Sequence, residues 1–204
     1  MVSEVGYILM NDTINYYNTH ASEFSESTLN ADMSASRDLF VSYLKPGDKI
    51  LDAGCGVGRD IKAFCLKGFS VDAFDASEEM CRIAEENTGI PIRQLRFEDF
   101  CEDNEYDGIW ACASLLHVKK EDLFACVVRM KKALKKNGII YMSFKYGEGA
   151  HIRGERLFID MNEMSLIKLL DECGLGIITI YVSNDVRQHR QNEKWINAIV
   201  RKEI

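Results

Sequence analysis

The sequence predicts an α/β fold: a seven-stranded, mostly parallel sheet with helices on both faces, finished by an antiparallel β-hairpin. Three observations carry this expectation. Five apolar, strand-like segments lie between residues 49 and 145 with helical segments interleaved, and such alternation gives parallel strands joined by crossover helices. Two further apolar segments near the end have no helix between them, and strands joined by a loop alone pair antiparallel. A glycine-rich turn follows the first strand and opens the first core helix, as nucleotide-type loops do.

The stretch up to Leu44 is richer in Ser, Asn, Thr and Tyr than the rest. It reads as two modest helices, Ile8–Tyr17 and Ala31–Leu44, separated by a polar loop. We expect them to form a helical lid (1–44) on a core (45–204), all within one domain, 1–204. Lys45-Pro46-Gly47-Asp48 is a turn. Strand Lys49–Ala53 precedes helix Asp60–Lys67, which Gly68 ends. Strand Ser70–Asp75 leads to helix Ser77–Asn87, then strand Ile92–Phe97 and only a short or poorly formed helix. Strand Tyr106–Ala111 is followed by an amphipathic helix, Lys120–Lys135, with Leu123, Cys126, Val127, Met130 and Leu134 on one face. Asn137-Gly138 closes it, and Ile139–Lys145 is the fifth strand. Helix Met164–Cys173, closed by Gly174, leads to strands Ile177–Val182 and Trp195–Arg201.

At 204 residues, 47% hydrophobic and 28% charged, the chain fits one ordinary globular domain. Its net charge of −7 disfavours nucleic acid as a partner, because binding to phosphate backbones calls for a basic surface. Lys131, Lys132, Lys135 and Lys136 read as a solvated helix end complementing the helix dipole. Seven cysteines stand singly, without C-x-x-C or metal-ligand spacing, so reduced thiols and no metal are expected. Met1–Met10 shows no export signal, and no apolar run approaches the ~20 residues of a membrane span. A cytoplasmic setting, no membrane partner, and a monomer or homodimer follow as expectations.

The strongest chemical signal is Asp52-Ala53-Gly54-Cys55-Gly56-Val57-Gly58-Arg59-Asp60. Glycines let a backbone turn tightly and approach a ligand. A dinucleotide fingerprint would need glycines at 54, 56 and 59, but position 59 is Arg. An acid ahead of the first glycine repels a pyrophosphate and suits a ligand carrying an amine and a sulfonium. Asp75 ends the next strand, where a carboxylate accepts hydrogen bonds from ribose hydroxyls. This pattern resembles motif I of class I methyltransferases, with Asp75 matching the acidic motif that follows. Tyr16-Tyr17, the Ala-Phe-Asp-Ala-Ser run at 73–77, Phe-Glu-Asp at 97–99 and Tyr-Asp-Gly-Ile-Trp at 106–110 extend the likeness over most of the chain. More narrowly, Gly58-Arg59-Asp60, Ala-Ser-Leu-Leu-His-Val at 113–118 and Phe-Lys-Tyr-Gly at 144–147 resemble the tellurite-resistance/ubiquinone-biosynthesis-like group of small methyltransferases.

The resemblance implies a Rossmann-like fold and S-adenosyl-L-methionine as cofactor. Asp52 and the backbone of Gly54, Cys55, Gly56, Gly58 and Arg59 would sit against its methionine part. Asp75 would take the ribose, Ala76 or Met80 would pack near the adenine, and Phe97 and Glu98 would flank its edge. Ala111 and Cys112 would line the methionine end, with Tyr17 closing over as a cofactor contact. Many relatives have Gly-Asp where Leu95-Arg96 stands, which leaves the adenine amine to backbone near Phe97 or to Glu98.

Ligands of open α/β sheets bind beyond the carboxyl ends of the strands. That rule nominates Ser114, His117, Tyr146, Arg187 and Arg190 as acceptor-side residues, with Lys145, His151 and Arg153 nearby and His189 in the terminal hairpin loop, while His20 would close over them with Tyr16 and Tyr17 as a lid. His117 is the expected base, should an oxygen or carbon nucleophile need one. The reaction expected is methyl transfer to a small-molecule acceptor by in-line displacement. The alternatives are an RNA or protein acceptor, a cofactor-binding module without transfer, and a nicotinamide dehydrogenase, which position 59 opposes.

Overall fold

The structure, a computed structural model, describes residues 4–188 and 190–203, with side chains from Asp12 onward. His189 and the first three residues of the Met1–Met10 stretch lie outside the described residues. The chain runs α1 (Glu4–Thr19), α2 (Ala21–Thr28), α3 (Ser34–Val41), β1 (Lys49–Ala53), α4 (Arg59–Leu66), β2 (Ser70–Asp75), α5 (Glu78–Thr88), β3 (Arg93–Gln94), β4 (Tyr106–Ala111), α6 (Lys120–Ala133), β5 (Leu134–Tyr146), β6 (Gly149–Arg153), β7 (Arg156–Met161), α7 (Glu163–Glu172), β8 (Leu175–Asn184) and β9 (Lys194–Lys202). Short 3₁₀ turns occupy Phe97–Asp99 and Leu115–His117.

Strands β3, β2, β1, β4 and β5 pair in that order, all parallel. β9 then runs antiparallel to β5, and β8 lies antiparallel on β9. These are the seven strands expected, with the terminal hairpin in place. Sheet period separates the two faces. Ile50, Trp110, Ile139 and Tyr141 face α3 and α4 with Phe40 and Phe64, and Trp110 stacks on Tyr141 with ring centroids 3.9 Å apart. Leu51, Ile109, Ile140 and Met142 face α6 and α7 with Val127, Met130 and Leu170. Each large apolar side chain fully buried this way contributes about 1.5–3 kcal/mol.

Several features differ from the sequence expectation, and the third strand, expected over Ile92–Phe97, is only Arg93–Gln94. The polar loop after α1 is the helix α2, which packs Ala21 and Phe24 against Val57 and Met80. α6 ends at Ala133 rather than Lys135, and Asn137-Gly138 lies inside β5, where Asn137 takes φ 64° and the pairing with β4 slips between Tyr106 and Gly108. Most consequentially, the glycine-containing loop after β5 is a hairpin. β6 and β7 pair antiparallel around Gly154-Glu155, and β7 joins the tip of β5 in parallel through Lys145 and Tyr146. Lys145 therefore has β9 on one edge and β7 on the other, so the hairpin extends the sheet past the end of β4.

α1 lies across this added strand and is pinned at three places. Thr13 Oγ1 accepts from the Leu157 N–H at 3.0 Å, the Tyr17 hydroxyl donates to His117 Nε2 at 2.9 Å, and Asn18 Oδ1 accepts from Ser77 Oγ at 2.6 Å.

Candidate active site

The carboxyl ends of β1, β2, β4, β5 and β8, roofed by the N-terminal helices and β7, line a partly open cavity of about 520 Å3. The glycine turn forms its floor. Gly54 and Gly56 take φ of 73° and 55°, a region open to glycine at little cost. The Gly56 N–H donates to Asp75 Oδ2 and the Ser77 N–H to Asp75 Oδ1, both at 2.9 Å, so one carboxylate braces the turn and the start of α5 together. The two oxygens, with about four lone-pair sites between them, retain acceptor capacity for a ligand hydroxyl. Burial raises the Asp75 carboxyl, against those backbone hydrogen bonds.

Asp52 and Asp60 lie close together and have opposite surroundings. Asp60 accepts from Arg37 at 2.6 Å, from Arg59 at 2.6 and 3.0 Å, and from the Trp110 indole at 3.0 Å. Burial alone would lift its carboxyl, but Arg59 and Arg37 hold it below the usual range. Asp52 is 2% exposed, lines the cavity, and has Oδ2 buried with no hydrogen-bond partner among the described residues. Burial and the charge of Asp60 push it well above the usual carboxylate range. A buried acid without a counter-charge is costly, and a ligand ammonium at this wall supplies one.

Across the turn, Met80, Leu95 and Phe97 form an apolar slot beside Ala76. Glu98 lines it, with Oε1 buried and unpartnered among the described residues and its carboxyl raised by burial. An orphan acceptor beside an apolar slot suits an adenine amine. The site thus fits S-adenosylmethionine at both ends.

Of the residues nominated from sequence, Tyr17, Asp52, Gly54, Cys55, Gly56, Arg59, Asp75, Ala76, Met80, Phe97, Glu98, Cys112, Ser114, His117, Arg187 and Arg190 line this cavity. Four do not. Gly58 instead begins α4, where an added Cβ would lie 2.7 Å from Thr88 Cγ2, so it serves helix packing. Ala111 is wholly buried inside the sheet. His20 turns away to stack on Tyr16 and bond its carbonyl. Tyr146 is exposed and bonds Glu163. Ser114 sits at the wall, but its hydroxyl donates to the Ala53 carbonyl at 2.7 Å and covers Gly54. Lys145 and Arg153 also line the cavity, whereas His151 lies beside Asp160 on the hairpin, 3.7 Å away.

His117 does not stand ready as a base. Its Nδ1 lies 2.6 Å from the Leu157 carbonyl, which can only accept, so Nδ1 carries the proton and Nε2 takes the Tyr17 hydroxyl hydrogen. Burial pulls its pKa to about 4; the Arg156 charge adds to this and the Leu157 hydrogen bond opposes it. An unfolded histidine binds a proton below about 6.5. Stability should therefore be intact above pH 6.5 and fall as pH drops toward 4. In urea unfolding at pH 7 and pH 4.5, His117→Gln should reduce that loss by on the order of 2 kcal/mol, allowing for the partial exposure of the ring. An unchanged slope would contradict a buried neutral His117.

Sequence reasoning missed Arg156 and Phe158, which reach the cavity from β7. The signal was available: Leu157-Phe158-Ile159 is an apolar run just after Gly154-Glu155.

Comparison with known proteins agrees with this geometry. The family model described as a methyltransferase domain matches residues 50–138, from β1 into β5. The N-terminal Xaa-Pro-Lys N-methyltransferase 1-B of Xenopus laevis is 26% identical over 167 aligned residues, covering 74% of each chain. The solved 1,6-didemethyltoxoflavin-N1-methyltransferase of Burkholderia thailandensis, with 1,6-didemethyltoxoflavin and S-adenosylhomocysteine bound, aligns at TM-score 0.81 and 18% identity. That alignment covers all of this chain and 91% of the other. The cyclase SpnF aligns at TM-score 0.74 and 14% identity, over 100% of this chain and 97% of its own, so architecture alone does not decide the reaction. Fold, turn geometry and the family-model match together support an S-adenosylmethionine-dependent methyltransferase.

Proposed function

We propose that the chain methylates a small molecule held beneath α1, with S-adenosylmethionine lying across the ends of β1 and β2. When bound, S-adenosylmethionine supplies an activated methyl group on a sulfonium. Asp52 holds the amino group, Asp75 orients the ribose while bracing the turn, and Phe97, Met80 and Glu98 take the adenine. Tyr17 and α1 cover the reacting end, exclude water and align the acceptor, which is mostly a matter of proximity and desolvation. Seven free cysteines fit the reducing cytoplasm expected from sequence.

The observation that carries the small-molecule reading is the roof. Thr13, Tyr17 and Asn18 tie α1 to β7, to the Leu115–His117 turn and to the start of α5, leaving a roofed, partly open cavity. A protein acceptor is the second reading, favoured by the Xenopus relative's name. A cationic peptide N-terminus suits this wall poorly. Asp185 accepts from Lys145 and Arg187, and Glu193 pairs with Lys145, so both carboxylates already carry cations.

Incubation with methyl-labelled S-adenosylmethionine and a cell extract, followed by ultrafiltration, separates the readings. Label above background in the low-molecular-mass filtrate is expected. Label confined to precipitable protein would overturn the small-molecule acceptor.

A further inference from the structure

We infer that Arg156 forms an anion subsite, so that the acceptor binds as a planar anion already carrying its nucleophilic electron pair. This builds on the function proposed above. Most cations around the cavity have acidic partners. Lys145 pairs with Asp185 and Glu193 and lies over the Trp195 ring at 4.1 Å. Arg187 reaches both oxygens of Asp185, at 2.9 and 2.5 Å. Arg59 is bound to Asp60, Arg190 lies 3.9 Å from Glu193, and Arg153 lies 3.8 Å from Asp160. The charges at the hairpin tip thus pair among themselves, and Arg187 and Arg190 are largely structural.

Arg156 differs. No carboxylate among the described residues lies within 4 Å of its guanidinium, and its Nε is buried without an acceptor. The guanidinium instead lies over three rings, at 4.3 Å from the Tyr16 centroid, 5.2 Å from Phe158 and 5.8 Å from Tyr17. Those faces stabilise the cation and fix its plane while leaving donors for a ligand. A fixed, always-charged fork selects planar anions that accept two hydrogen bonds. Tyr17 and Phe158 also give the cavity flat apolar walls on which a ring can rest.

The histidine of this neighbourhood among the described residues, His117, is not free to accept a proton. Tyr17 donates its hydroxyl hydrogen to His117 Nε2, so that basic nitrogen is occupied, and it faces the Arg156 charge. Transfer to a preformed anion needs no base. The acceptor's lone pair forms the bond to the methyl carbon, the methyl–sulfur bond breaks with its electron pair on sulfur, and the opposite charges cancel.

The test is calorimetric titration of the protein loaded with S-adenosylhomocysteine, using benzoate, benzamide and benzylamine as isosteric probes of charge. Benzoate should bind at least tenfold more tightly than the other two. Arg156→Gln should lower benzoate affinity tenfold or more while leaving S-adenosylhomocysteine affinity within twofold, and Arg156→Lys should fall between. Equal binding of the three probes, no binding of benzoate, or benzoate binding that survives Arg156→Gln would each overturn the subsite. Repeating the titrations without S-adenosylhomocysteine separates the two claims: a wild-type protein that fails to bind that ligand counts against the proposed function, and charge selection is still read.

Discussion

Gly54→Ala should abolish measurable binding of S-adenosylhomocysteine and lower stability by about 2–4 kcal/mol. Gly54 sits at φ 73°, where a Cβ is itself unfavourable, and an added Cβ would lie 2.4 Å from Ser114 Cβ and 3.5 Å from the Phe97 ring. Ser114 cannot move aside without breaking its bond to the Ala53 carbonyl. The turn must therefore shift, taking with it the backbone between Asp52 and Gly56 that forms the cavity floor. Urea unfolding and ligand titration of the same preparation check both halves. Wild-type affinity in this variant would mean that the turn does not contact the cofactor.

Asp75→Ala should weaken S-adenosylhomocysteine binding by about 1.5–3 kcal/mol, roughly 10- to 150-fold, the range for hydrogen bonds to a charged group. Two losses combine: the acceptor for ribose hydroxyls, and the brace on the Gly56 and Ser77 N–H groups. Asp75→Asn retains one carbonyl oxygen and should lie between wild type and alanine. Unchanged affinity in the alanine variant would remove Asp75 from the ribose site.

Much of this fold was legible because sheet and helix periods are written directly in apolar spacing. Ile50-Leu51 and Ile139 to Met142 announce buried strands, and Asp52, Gly54, Gly56 and Asp75 fall where a strand-turn-helix unit must place them. Elements held mainly by tertiary contacts were not legible. α2 is rich in Ser, Thr and Glu, and its packing comes from Ala21 and Phe24 against distant Val57 and Met80. β6 is largely exposed and depends on β7 for its hydrogen bonds. That missed hairpin explains the missed site residue, since Arg156 reaches the cavity only because β7 pairs with the tip of β5. Arg187 and Arg190 line the cavity, yet composition could not reveal that Asp185 and Glu193 would engage them.

The central claim is an oriented cofactor site, with the amine at Asp52 and the adenosine at Asp75 and Phe97. Titrating wild type and Asp52→Asn with S-adenosylhomocysteine and with 5′-methylthioadenosine, which lacks the amino-acid end, tests it most directly. The substitution should weaken the first ligand about tenfold or more, the loss of a charge-assisted contact, and leave the second within twofold. Equal losses for both ligands, or none for either, would contradict that orientation.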